Sequence, residues 1–525
     1  MKKFNILKFF ILVAIVSFFF SCDDDEFLTE HPKSFNAPEN TFISTKGFQT
    51  AVNGLYNQVQ NEYAIFVHGS FWVGTDLALN GNLHGNYAPP ELLGETMNSN
   101  YVCARLIWDW AYALIANANQ IIQAVDNPDV KWDSPNDPDL MEAQARFFRA
   151  YAYRTLSYLF GGVPIVEEVG KPFKLDYTRQ PLSQVLDFIA NDLTFAMNNL
   201  PEETTEEGRI VKAAAQHLLA ENYIYAGKPE LAEPLLKGII QDPKYQLMTS
   251  RFGNHTNEPG DVFSDLFKEN NHNRSSGNLE SIWVIQYQYN YGMGWNYFRT
   301  WIRRTWVPYY ARVSGLVLCD SLGGRGLGRL RPTQFWLDSY EDQDIRNSKY
   351  NIRRHYFRNA PGDPKYGQEI PITDDLRTSG SLYEHTTKFY FGVTKDNPSY
   401  AFYHKDYYKI RLADTYLLLA EAQFRLGKLD DAAISLNAIR ARANATLISG
   451  SDVTLDLILD ERARELFGEY PRKYTLTRTG AFYDRVKKYN PITSQTVKPF
   501  NILWPIPQTA IDANSGAALE QNEGY

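Results

Sequence analysis

The residues able to do chemistry in this chain are spaced for recognition rather than for catalysis. Nine histidines are scattered over 525 residues, and none falls in a His-Glu-x-x-His or other compact metal-ligating set. No Gly-x-Ser-x-Gly elbow presents a nucleophile. The run GGRGLG (Gly323–Gly328) lacks dinucleotide spacing and a strand-then-helix context, so it reads as a flexible loop. DSPNDPD (Asp133–Asp139) lacks the glycine and distal glutamate of a calcium loop and reads as an interhelical turn. Acidic pairs are plentiful, but paired-carboxylate hydrolysis depends on a separation in space that spacing along the chain does not supply. No cofactor or metal is expected. What accumulates is aromatic and amide density in two segments. GTDLALNGNLHGNYAPPELLG carries Asn80, Asn82, His84, Asn86 and Tyr87. YNYGMGWNYFRTWIRRTWVPYY carries Trp295, Tyr297, Trp301, Trp306, Tyr309 and Tyr310. A sugar ring offers an apolar C–H face and a rim of hydroxyls. Aromatic faces suit the first, and Asn, Arg and His suit the second. Asn80, Asn82, His84, Tyr87, Trp295, Tyr297, Trp301 and Trp306 are therefore the candidate binding residues. Against this stands the tendency of large rings to pack inside.

Something rigid must position these loops, and helix-period patterning dominates the chain. Residues 102–126 place Ile107, Trp110, Ala111, Leu114, Ile115, Ala118, Ile121 and Ile122 at spacings of three and four, which predicts an amphipathic helix. A second helix is predicted over 139–160, stopped by Gly161-Gly162 and Pro164, and a third over about 181–200. LAENYIYAGKPELA (Leu219–Ala232) and LAEAQFRLGKLDDAA (Leu419–Ala433) then resemble each other, pairing Ala220 with Ala420, Glu221 with Glu421 and Gly227 with Gly427. This is the spacing of a tetratricopeptide-type hairpin, with glycine ending the first helix. SIWVIQYQY (Ser281–Tyr289) alternates like a strand. The loops around it predict a few short strands in small hairpins. The fold class is mainly α, tetratricopeptide-like hairpins carrying a loop-rich portion. Its divisions are 1–21, 22–40, an N-terminal helical region 41–242, a loop-rich ligand-binding insertion 243–400, and a C-terminal hairpin with a turn-rich tail 401–525.

The chain begins with a targeting signal. Lys2, Lys3 and Lys8 precede an apolar run from Phe9 to Phe20, then Ser21-Cys22 and an acidic stretch. That run is shorter than the roughly twenty residues a membrane-spanning helix needs. A cysteine at the boundary marks a lipoprotein signal, with Cys22 lipidated and residues 22–40 a tether. Each buried acyl methylene contributes about 0.8 kcal/mol, so several chains on one residue anchor stably. The net charge of −8 argues against nucleic acid, whose phosphates require clustered basic residues. Cys103 and Cys319 lie far apart, and spacing does not say whether they pair.

Taken together these stretches resemble the SusD/RagB family of outer-membrane nutrient-binding lipoproteins of Bacteroidota. The resemblance rests on EAQARFFRAYAYRTLSYLFGGVPIV (Glu142–Val166), on YKIRLADTYLLLAEAQFRLG with LNAIRARA, on ERARELFGEYPRKYTLTRTG (Glu461–Gly480), and on LWPIPQTAIDANSGAALEQNEGY at the end. It implies a non-enzymatic protein that captures an oligomeric nutrient, usually a glycan. It also implies a lipid-anchored position on the outer membrane, facing outward, as a lid on a SusC-like TonB-dependent transporter. The family motifs are scaffold and transfer no binding residue. The two aromatic loops fall where the family places its ligand only by region. An oligopeptide is the alternative ligand, since a peptide would take backbone hydrogen bonds in a deeper cleft. A surface glycan hydrolase is the remote alternative.

Overall fold

The computed structural model describes residues 41–63, 67–82, 91–167, 174–287, 302–392 and 405–525. Helices dominate, as the patterning predicts. Helix Val102–Ala124 buries Ile107, Ala111, Leu114, Ile115, Ala118 and Ile121 along one stripe. Helix Asp137–Phe160 is different: from Ala143 onward nearly every side chain is buried. A helix enclosed on all sides must satisfy its polar residues internally. Arg149 accordingly donates to both Asp192 oxygens, from helix Leu182–Asn199, at 2.7 Å each. Arg154 donates to Glu221 at 2.5 Å and to the Tyr470 hydroxyl at 2.7 Å.

The two similar segments are matched hairpins, Lys212–Tyr225 with Pro229–Gln241 and Leu412–Arg425 with Leu429–Arg442. Gly227 and Gly427 both sit at φ 73°. In each, the next residue's N–H closes the helix end, Lys228 to the Tyr223 carbonyl at 2.8 Å and Lys428 to the Gln423 carbonyl at 2.9 Å. That is the Schellman pattern, which requires the left-handed residue glycine supplies. Ala220, Ala232 and Leu236 of the first hairpin share a buried cluster with Leu418, Leu419 and Ala422 of the second. Two parts of the chain some 200 residues apart thus build one helical stack. The paired glutamates explain part of the sequence similarity. Each is fully buried against an arginine from another helix, Glu221 with Arg154 and Glu421 with Arg478. Ala420 has no exposed surface, whereas the Lys428 side chain is 46 % exposed in its pair with Glu233. Ala420→Leu is therefore expected to lower stability by roughly 1–3 kcal/mol through overpacking. Lys428→Ala should cost less than about 1 kcal/mol. Chemical denaturation of both variants checks this, and equal losses would contradict the packing.

The strands are few and short, but they are mostly not hairpins. Ser281–Ile285 pairs antiparallel with Tyr407–Arg411, and Ala78–Asn80 with Leu330–Pro332. Ile352–Arg353 pairs with His385–Thr386, and among the described residues only Tyr356–Phe357 with Glu369–Ile370 joins near neighbours. The alternation read over Ser281–Tyr289 does not mark a half-exposed strand either. All five residues of Ser281–Ile285 are buried, with Trp283 edge-on to Phe147 and Tyr151. A ladder covered on both faces has no solvent side for the alternation to report. Cys103 and Cys319 form no disulfide. Among the described residues no helix is long and apolar enough to cross a membrane.

Glu461, Glu465 and Glu469 recur every four residues and meet a group of cations. Glu461 takes Arg346, Arg440 and Arg464; Glu465 takes Arg411, Arg442 and Arg346; Glu469 takes Arg411 and Lys388. This network ties the C-terminal helices to the loop-rich middle of the chain. The tail closes over the helices. The Trp504 N–H donates to the Leu159 carbonyl, and Asn522 bridges the carbonyls of Phe160 and Trp504.

Candidate functional site

The loop bearing Asn80 and Asn82 is rooted in the core. Asp76, four residues upstream of Asn80, is fully buried. It accepts from Arg472 at 2.7 Å and from Arg485 at 3.0 Å. Burial alone would raise its pKa, but the two guanidiniums reverse this and hold it below the usual carboxylate range. Its backbone carbonyl accepts from the Thr333 hydroxyl at 2.8 Å. From this root the chain runs into the ladder in which Ala78 faces Pro332 and Asn80 faces Leu330.

Beyond the ladder three stretches meet closely. The Gly81 N–H donates to the Arg329 carbonyl at 2.8 Å, and the Gly328 N–H to the Val307 carbonyl at 2.8 Å. A Cβ on Gly81 would lie 2.2 Å from the Gly328 carbonyl oxygen, and one on Gly328 2.1 Å from that of Gly380. Only glycine fits such backbone approaches. The run Gly323–Gly328, expected as a flexible loop, is thus a packed floor against which the first site loop lies.

This floor brings the bases of the two candidate segments together. The Asn82 side-chain amide donates to the Leu327 carbonyl at 3.3 Å. Leu327 in turn donates its N–H to the Arg304 carbonyl at 3.2 Å, on the short helix Ile302–Trp306. Asn80 and Asn82 are both partly exposed, and the Asn80 N–H is held by Glu91 at 2.5 Å. His84, Tyr87, Trp295, Tyr297 and Trp301 lie outside the described residues.

Trp306 requires a correction: it is 0 % exposed and presents no face for stacking. It lies edge-on to Trp72 at 5.4 Å, tilted against Phe467 at 4.7 Å, and its Nε1–H donates to His68 Nε2 at 3.1 Å. Burial, and secondarily Lys409, push the His68 pKa down to about 3, so the imidazole is neutral and can accept that proton. Short-helix geometry turns this indole inward, towards the core. Tyr310 is likewise buried, while Tyr309 is partly exposed with the Arg312 guanidinium 4.1 Å above its ring.

Sequence reasoning did not single out Asp76, Arg304 or Arg329. A lone aspartate in an otherwise apolar stretch and arginines within the aromatic segment were the available signals. Among the described residues no group of His, Cys, Asp and Glu is arranged to hold a metal ion. A concavity of about 680 Å3 lies between helix Val102–Ala124 and the tail, with Trp108, Tyr112, Tyr177 and Lys174 in its wall. Of the predicted binding residues that are described, Asn80, Asn82 and Trp306, none lines it.

The fold defines a helical-repeat scaffold that carries a loop-rich portion. Comparison with known proteins places that class. A model described as the SusD family matches residues 366–525, and one described as starch-binding, associating with the outer membrane, matches residues 26–224. The chain belongs to the SusD/RagB family. It is 28 % identical to SusD-like protein P2 of Formosa agariphila over the whole of both chains. With a SusD-like protein of Bacteroides ovatus the identity is 24 %, over 94 % of this chain and 85 % of the relative. The fold is that of a laminarin-binding SusD-like protein, with a TM-score of 0.70 at 22 % identity, covering 91 % of this chain and 99 % of the other. It is also that of surface glycan-binding protein A of Bacteroides thetaiotaomicron, solved with laminarihexaose, with a TM-score of 0.71 at 21 % identity over 92 % of this chain and all of the other.

Proposed function

We propose that this protein captures an oligosaccharide at the cell surface and passes it to a SusC-like TonB-dependent transporter, without itself catalysing a reaction. The observation that carries this reading is the joining of the two candidate segments at their bases, through Asn82, Leu327 and Arg304. Amide groups and flanking rings on a rigid floor are suited to the hydroxyl rim and apolar face of a sugar. A rigid scaffold that positions variable loops is the usual basis of specificity. Relatives whose names or complexes report glycans add to it. Within this reading residues 243–400 act as the binding insertion, and Trp295 and Trp301, not Trp306, are the stacking rings. Asn80, Asn82, His84 and Tyr87 supply the polar rim and a flanking ring.

Alanine at Trp295, Trp301 or Asn82 is expected to weaken oligosaccharide binding several-fold, since a stacked ring contributes on the order of 1 kcal/mol. Calorimetry against a panel of oligosaccharides and oligopeptides tests this. Binding confined to peptides would overturn the glycan reading, and unchanged affinity in all three variants would move the site elsewhere.

The membrane tether follows from Cys22. Cys22→Ala should release the protein from the membrane fraction and remove its protease accessibility on intact cells. Retention of both would contradict lipid anchoring. Confinement beside a transporter raises effective concentration, so a modest intrinsic affinity suffices for a lid. Gentle extraction of the tagged protein should co-purify the transporter, and recovery of the protein alone would contradict the handover.

A further inference from the structure

The stretch between Cys22 and Thr41 is mostly polar, with one departure. After Asp23, Asp24, Asp25 and Glu26 it places two large apolar residues side by side, Phe27 and Leu28. Such side chains gain by leaving water. Residues 1–40 lie outside the described part of the chain, which begins at Thr41.

The body of the protein holds a cavity of matching character. The concavity of about 680 Å3 between helix Val102–Ala124 and the tail is lined by the rings of Trp108, Tyr112 and Tyr177 and the methyls of Ala116, Ala510 and Ala513. Two of its polar groups are already engaged. The Tyr112 hydroxyl donates to the Pro164 carbonyl at 2.9 Å. Asn514, also in the wall, accepts the Tyr177 N–H and donates to the Tyr177 carbonyl, both at 2.8 Å, which fixes this part of the wall in place. A sugar brings hydroxyls that need partners, and this interior offers mostly rings and methyls. An apolar side chain needs no such partner. Arg105, Lys174 and Asp109 stand at the rim. Arg105 pairs with Asp109 at 3.3 Å, and the Lys174 ammonium lies 5.1 Å from the centre of the Tyr177 ring. Two of the three rim charges are thus positive, which suits the four acids that precede Phe27.

The chain enters the described fold beside this cavity. Thr41 and Phe42 line a smaller concavity together with Asn117 and Gln120 of the same helix. From there Ala116, Ala113 and Asp109 are exposed in succession along the helix. Asn117 and Trp108 stand about 14 Å apart along its axis, at about 1.5 Å per residue. The stretch from Leu28 to Thr41 reaches up to about 43 Å when extended, so it spans that distance with slack. Attachment to the same chain raises the effective concentration of the apolar pair, and a weak contact then suffices.

We propose that Phe27 and Leu28 of this chain occupy the cavity, with Asp23–Glu26 at its rim, so that the tether is pinned to the body along helix Val102–Ala124. The docking does not depend on which ligand the protein captures. With Cys22 lipidated, its consequence is orientation. The free tether shortens from the whole stretch Cys22–Thr41, up to about 60 Å, to Cys22–Phe27, under about 20 Å. The face carrying the cavity is then held towards the membrane, and the body no longer swings through the full length of the tether.

The test uses the full-length protein in detergent, with the photoreactive residue benzoylphenylalanine in place of Phe27 and the cross-links mapped by mass spectrometry. The expected products join position 27 to residues 105–116, 174–177 or 509–519. Ala116→Trp and Ala513→Trp fill the cavity from exposed positions. Each should lower the yield of those products about fivefold or more, as steric overfilling requires. A second readout keeps the native side chains. Chymotrypsin should cut after Phe27 about tenfold more slowly in wild type than in the filled variants, since cleavage tracks the undocked population. Two filling positions are used so that a loss of folding in one, seen in its denaturation midpoint, leaves the other to decide. Cross-links confined to other surfaces, or yields and cleavage rates that neither filling changes, would overturn the docking. An oligosaccharide that suppresses the cross-links and loses affinity in the filled variants would assign the cavity to the captured ligand, overturning the docking while leaving the glycan reading in place.

Discussion

Replacing Glu465 by Gln is expected to destabilise the protein by about 3–5 kcal/mol, the cost of breaking a buried ion pair from one side. Glu465 is fully buried and contacts Arg346 at 3.1 Å, Arg411 at 2.6 Å, and Arg442. The neutral amide takes one carboxylate from three buried guanidiniums, leaving Arg346 to Asp344 and Glu461, Arg411 to Glu280 and Glu469, and Arg442 to Glu280 alone. Burial alone would raise the pKa of Glu465, but Arg442, Arg411 and Arg346 together hold it well below the usual range. Glu461 behaves likewise: burial raises it, and Arg346, Arg464 and Arg440 more than reverse the effect. The sign of the pH dependence follows. Both groups bind protons more readily in the unfolded chain, where a glutamate titrates near about 4.3. Their stabilisation is complete above that value and is lost as pH falls below it towards the depressed folded pKa. Denaturant midpoints measured for wild type and Glu465→Gln between neutral pH and about pH 3 check both statements. The two proteins should converge on acidification. A variant as stable as wild type at neutral pH would show that the network is not holding the C-terminal helices to the middle of the chain.

Trp306→Ala should also cost about 3–5 kcal/mol, as expected for deleting a fully buried indole. The change empties a space between Trp72, Phe467 and Phe389 and removes the hydrogen bond to His68. It also withdraws side-chain packing beneath the short helix that carries Arg303 and Arg304. The diagnostic outcome is a separation of effects: a lowered unfolding midpoint, with the affinity of the molecules that remain folded close to that of wild type. Unchanged stability with lost oligosaccharide binding would return Trp306 to the ligand face.

These two residues mark where the sequence was and was not legible. Helix period is a local property, so the helices around 102–124, 137–160 and 182–199 could be read directly, with ends within a few residues. The two hairpins were legible for the same reason. Their glycines sit at the helix ends because a left-handed residue is needed there, and that need repeats every time the motif does. The short apolar run before Cys22 is likewise a linear signal.

What the tertiary structure decided was which distant residues meet. The alternation around Ser281 implied a strand, but its partner, Tyr407–Arg411, is more than a hundred residues away, and burial on both faces removed the solvent side that alternation describes. Nothing in the composition of the aromatic segment distinguishes a ring turned inward, as Trp306 is, from one facing a ligand. Inward and outward positions differ only by a rotation about the helix axis, and neighbours settle it. The glycines of GGRGLG carried no dinucleotide signature, yet Gly326 and Gly328 lie where the backbones of Val307, Pro308 and Gly380 leave no room for a Cβ. The buried glutamates 461, 465 and 469 show a helical spacing in the sequence, but only the fold supplies the arginines that make burial of their charge tolerable. The linear chain therefore determined the helical scaffold and the chemical character of its loops. The packing of residues far apart in sequence decided where the charges converge and which rings are core.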